Sequence, residues 1–101
     1  MVSAKQMFDQ AVASIDINNP ENWKWAAEAY NGHTQAEAIR AIAYEAISDV
    51  LAETELNSRE QRAIRNEIRL MVIENSHVFN VASYLIKNEI TAIKKIVLAN
   101  I

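Results

Sequence analysis

One glycine, Gly32, and one proline, Pro20, in 101 residues constrain this fold more than any other feature of the chain. A β-rich domain of this length needs many tight turns, and tight turns draw on both residues. Half of the residues are apolar, which rules out a disordered chain. Alanine and the aliphatics outnumber the aromatics, which favours helix. We therefore expect an all-α protein: a single helical domain, 1–101, built as a compact bundle of four or five helices, with Asn, Ser, Thr and Asp making the breaks.

Apolar spacing places the helices. Ser3 can cap a first helix over about 4–16, whose buried side is Met7, Phe8, Ala11, Val12 and Ile15. Asn19 and Pro20 open a short second helix, about 20–30, that stops at Asn31-Gly32. Thr34-Gln35-Ala36-Glu37 reads as a capping box for a third helix over about 35–54. Its inner face is Ala38, Ile39, Ile42, Ala43, Ala46, Ile47, Val50 and Leu51. Ser58-Arg59-Glu60-Gln61 reads as another capping box, with Leu56 as a hydrophobic staple. The helix it opens puts Ile64, Ile68, Met71 and Val72 on one face. Glu60, Glu67 and Glu74 line one flank at heptad spacing, and Arg62, Arg65 and Arg69 line the other. A break is expected at Asn75-Ser76, followed by a long, strongly apolar last helix over about 77–99. The alternative is one unbroken helix from 59 to 99.

Several chemistries are disfavoured at this stage. The chain has no cysteine, which removes disulfides, zinc–thiolate sites and cysteine nucleophiles. No apolar run follows Met1-Val2-Ser3-Ala4-Lys5, so no signal peptide is expected, and Lys87, Glu89, Lys94 and Lys95 interrupt the apolar C-terminal stretch, so no membrane span is expected. Glu74 and His77 have the Glu-x-x-His spacing of di-metal bundles. His33, the second histidine, has no such companion, and neither metal nor cofactor is expected. Ser76 and His77 are adjacent and diverge on a helix, so they do not make a nucleophile–base pair. A phosphate-binding glycine loop is also absent. The protein is expected not to be an enzyme.

Charge is uneven. Residues 1–56 carry three bases against nine acids, and residues 57–101 carry seven bases against four. The arginines Arg59, Arg62, Arg65 and Arg69 form a candidate binding surface suited to carboxylate or phosphate. A second candidate is the segment Trp23, Lys24, Trp25 and Tyr30, where two tryptophans diverge by about 200° on a helix, so that one is left near the surface. The last helix is apolar over about half of its circumference. Val78, Ala82, Leu85, Ile86, Glu89 and Ile93 are the candidate interface of a homo-oligomer, with a two-fold dimer favoured.

The succession Ile39-Arg40, Ala43, Ala46-Ile47, with Ser58-Arg59-Glu60 opening the next helix, resembles that in phage anti-CBASS cyclic-oligonucleotide sponges. Those are small helical oligomers that sequester signalling nucleotides without cleaving them. Glu74-Asn75-Ser76 stands where their tryptophan-alanine-asparagine signature is expected, so no site residue is carried over. The resemblance implies only that an arginine-bearing helical oligomer can hold a small anion.

The function expected from the sequence is that of a non-catalytic cytoplasmic interaction protein: a regulator, inhibitor or assembly factor that binds another protein, as a homo-oligomer. The alternative is a binding module for an anionic ligand, nucleotide or nucleic acid, held on the arginine face. Glu89 carries the first prediction. Placed in an apolar arc, it is expected to pair with Arg62, Arg65 or Arg69 of a neighbouring helix or subunit. Glu89→Ala should then cost about 3–5 kcal/mol in a urea titration, whereas a change within about 0.5 kcal/mol would put Glu89 at the surface.

Overall fold

The computed structural model describes residues 4–18, 35–72 and 90–101. Among them every regular element is an α-helix: α1 (Ala4–Asn18), α2 (Gln35–Leu51), α3 (Ser58–Arg69) and α4 (Ile90–Asn100). Helices α1 and α2 are the central pair, since each packs against the other three. Helices α3 and α4 both lie on that pair and, among the described residues, do not approach one another. The radius of gyration is 12.6 Å, close to the ~13 Å of a compact chain of about 100 residues.

The core is made of the stripes that the spacing picks out. Met7, Phe8, Ala11 and Ile15 of α1 are buried, with Val12 packed against them. From α2 come Ile39, Ile42, Ala43, Ala46, Ile47, Val50 and Leu51. Ala41, outside the expected inner face, is buried as well. Helix α3 contributes only Ile64 and Ile68, each worth on the order of 1.5–3 kcal/mol when removed from water, and α4 contributes Ile93 and Val97.

Helix boundaries differ from the sequence expectation. Helix α2 stops at Leu51 rather than near 54. The Glu53 N–H donates to the Val50 carbonyl (2.9 Å) and the Thr54 N–H to the Leu51 carbonyl (3.1 Å). These three-residue bonds tighten the last turn, and the Thr54 hydroxyl donates to the Leu51 carbonyl at 2.7 Å. Helix α3 stops at Arg69, well before Asn75. Met71 N–H donates to the Ile68 carbonyl (2.8 Å) and Val72 N–H to the Arg69 carbonyl (3.3 Å). Met71 and Val72 still pack on the core, but they reach it from this turn. The turn at 70–72 also overturns the alternative of an unbroken 59–99 helix.

The cap of α3 is corrected too. Asn57, not Ser58, is the N-cap, in an extended conformation with φ −71° and ψ 167°. Its Oδ1 accepts from the Glu60 N–H (2.8 Å) and its Nδ2 donates to Glu60 Oε1 (2.8 Å). One amide thus satisfies both an orphan donor and a first-turn carboxylate. Gln61, the expected reciprocal partner of Ser58, instead donates from Nε2 to the Leu56 carbonyl at 2.9 Å.

The last helix is described over Ile90–Asn100, with Leu98 and Ile101 exposed. Its expected earlier part lies outside the described residues. So do the Ser3 cap, the short helix at 20–30 with its Asn31-Gly32 stop, the Thr34 capping hydroxyl and the break at Asn75-Ser76.

Asn57→Ala is therefore predicted to lower stability by about 1 kcal/mol, within about 0.5–2. Ser58→Ala should stay within about 0.5 kcal/mol of the parent. Urea titrations of the two variants would check the order.

Candidate functional site

Among the described residues α3 packs on its neighbours through Ile64 and Ile68, and its sequence fixes what it turns outward. With Ile64 and Ile68 on the core, a step of about 100° per residue carries Arg59, Ala63, Asn66 and Leu70 to the opposite side. All four are exposed, and Leu70 is 88% exposed. Arg62 and Arg69 border this face on one edge, Glu60 and Glu67 on the other, and these too are exposed. Asn66, Arg69, Leu70 and Val72 line a shallow open depression at the C-terminal end of α3.

The four arginines separate into two roles. Arg65 is half-buried and faces α2. Its Nη2 donates to the Ser48 carbonyl at 3.2 Å and to Gln61 Oε1 at 3.4 Å. Ser48 lies in the last turn of α2, where the helix dipole favours a cation; its carbonyl also accepts the Ala52 N–H at 3.3 Å, so Arg65 is its second donor. Arg65 is thus a fastener between α2 and α3. Arg62 and Arg69 share its flank, about 60° and 40° away around the helix, and like Arg59 they are exposed.

Beside the fastener, the end of α2 and the following turn carry Asp49, Glu53 and Glu55, all exposed. Partial burial of its carboxyl, and then the neighbouring Glu53, raise the pKa of Asp49 above the ordinary carboxylate value, while Arg65 pulls it down. Glu53 Oε2 lies 3.8 Å from Lys94 Nζ of α4, a contact between two well-exposed side chains and so worth little.

The other sites expected from the sequence divide as follows. Trp23, Lys24, Trp25 and Tyr30 lie outside the described residues, as do Val78, Ala82, Leu85, Ile86 and Glu89. Ile93 is fully buried within the core of one chain, so its apolar surface is already spent there. Among the described residues no group of three or more His, Asp or Glu is placed to hold a metal ion. Leu70 is an addition to the sites expected from the sequence. The signal was present: a leucine seven residues after Ala63, on the side of α3 that faces away from its isoleucines.

Asp49 generates a prediction with a defined sign. A carboxyl whose folded-state pKa is raised favours the protonated native state, so its ionisation lowers stability as pH rises from the ordinary carboxylate value through the raised one. Asp49→Asn removes that loss. The variant should gain stability relative to the parent as pH rises across this window, as seen in urea midpoints measured from pH 4 to 7. No protein-family model, curated protein or solved structure shows a significant match to this chain, and the candidate site stands on its own residues.

Proposed function

We propose that this chain is a non-catalytic interaction protein that acts by binding another protein, as a homo-oligomer, and that the outward face of α3 is its binding surface. The observation that carries this reading is that α3 and its C-cap carry exposed Arg59, Arg62 and Arg69 together with the 88% exposed Leu70. An apolar residue within reach of arginines suits a protein partner, which offers both carboxylates and apolar side chains.

Roles as a regulator, inhibitor or assembly factor, and a cytoplasmic location, belong to the same proposal, the latter supported by the cysteine-free composition. A long apolar last helix that joins subunits through Val78–Glu89 is its further element. The second reading, an anionic ligand, nucleotide or nucleic acid held by the same arginines, draws support from their bidentate chemistry. The acidic balance of the chain, −3, weighs against nucleic acid.

Native mass spectrometry of the full chain purified from its own host tests the proposal. A protein partner should be retained and should be lost in Arg59→Glu/Arg62→Glu, with the helical circular dichroism unchanged. Arg65→Ala should instead lower stability, because it opens the contact with Ser48. A small anion retained in place of a protein, or a complex with a different protein that survives the double charge reversal, would overturn the proposal.

A further inference from the structure

The outward face of α3 can be read in heptads as a short seam that is apolar only at its a positions, the second of them Leu70 at the C-cap just past the helix. Read in heptads, Ala63 and Leu70 occupy a positions and Arg59 and Asn66 occupy d positions. Arg62 and Arg69 are then g residues, and Glu60 and Glu67 are e residues. All eight are exposed, so the seam points away from the protein's own core. Opposite charge on the two edges is the distinguishing feature. In a parallel two-fold pair, each g edge meets the partner's e edge, whereas in an antiparallel pair g meets g and e meets e. Parallel pairing therefore sets arginine against glutamate, and antiparallel pairing sets like against like.

We infer that α3 docks in parallel, in register, against α3 of a second copy of this chain, with Arg62 of each copy paired to Glu67 of the other. The inference rests on the reading of this face as a protein-binding surface and names its occupant. Glu60 is already tied to the Asn57 amide at the cap, which leaves Glu67 as the carboxylate for the cross-pair. Leu70, 88% exposed in the single chain, meets Leu70 of the second copy. Ala63 is small enough to let the two helices approach. Asn66 opposes itself, and a polar residue in a seam sets register at some cost in affinity. Arg59 also opposes itself, and this like-charge contact works against the pair. A helix of 12 residues spans about 18 Å, so the contact falls at the small end of protein interfaces and forms a weak dimer.

The test is sedimentation equilibrium of the full chain over roughly ten to several hundred micromolar, with circular dichroism as a check on folding. A monomer–dimer equilibrium is expected. Arg62→Glu and Glu67→Arg should each weaken it by about fivefold or more, and the double variant Arg62→Glu/Glu67→Arg should restore it. Arg59→Leu should strengthen it, because a repulsive pair becomes an apolar one. Asn66→Cys, in a chain with no other cysteine, should oxidise to a disulfide-linked dimer faster than a cysteine at exposed Thr91. A monomer throughout, a charge swap that fails to restore association, or equal oxidation of the two cysteine variants would overturn the inference. Weakened binding of a different protein by Arg59→Leu, with the chain itself monomeric, would overturn the second copy as occupant and leave α3 as a protein-binding surface.

Discussion

Apolar burial against the α1–α2 pair is the constraint on which the rest of the structure depends. Helices of this length are marginal in isolation, and none of the four has propensity enough to stand alone in water. Phe8, Ile15, Ile42, Ile47 and Leu51, all fully buried, form the centre on which α3 and α4 sit. Helix α3 shows the dependence most clearly. It offers two buried side chains, Ile64 and Ile68, and the approach from Leu56 and the exit through Met71 and Val72 add partly buried ones. A helix held by so narrow a stripe keeps most of its circumference in water, and that is why it presents a site.

Polar groups then fix details that apolar burial leaves open. Arg65 reaches from α3 to the Ser48 carbonyl in the last turn of α2 and sets how the two helices meet around the turn at 52–57. Asn100 of α4 is buried and donates to Gln10 Oε1 (3.1 Å) and to the Ile96 carbonyl (2.7 Å). The Gln10 bond ties the end of α4 to α1, and the two bonds together give partners to an amide nitrogen that would otherwise be costly to bury. Asp49 is the opposite case. Its carboxyl is partly screened from water next to Glu53, so the acidic end of α2 holds a small electrostatic cost against which Arg65 acts.

Much of the core was legible from spacing alone. The apolar positions named for the first, third and fourth helices reach the core wherever their side chains are described. The candidate site was legible as a row of arginines but not as a surface. Arg65 and Arg62 look alike in sequence, on the same flank of one helix. The 60° between them on the helix turns one guanidinium toward the α2 carbonyls and leaves the other in water. Leu70 is placed outward by the helical repeat alone, opposite Ile64 and Ile68, and the structure leaves it 88% exposed.

By itself the sequence determined the class of fold, the faces of its helices and the charge on each edge of α3. These follow from residue identity and a helical repeat, which are properties of the local chain. Tertiary structure decided where α2 and α3 stop, which of two neighbouring polar residues caps α3, and which arginine is a fastener. Each of those choices depends on how the backbone must turn to seat Ile64, Ile68 and Met71 against helices far away in sequence, and no local pattern contains that geometry.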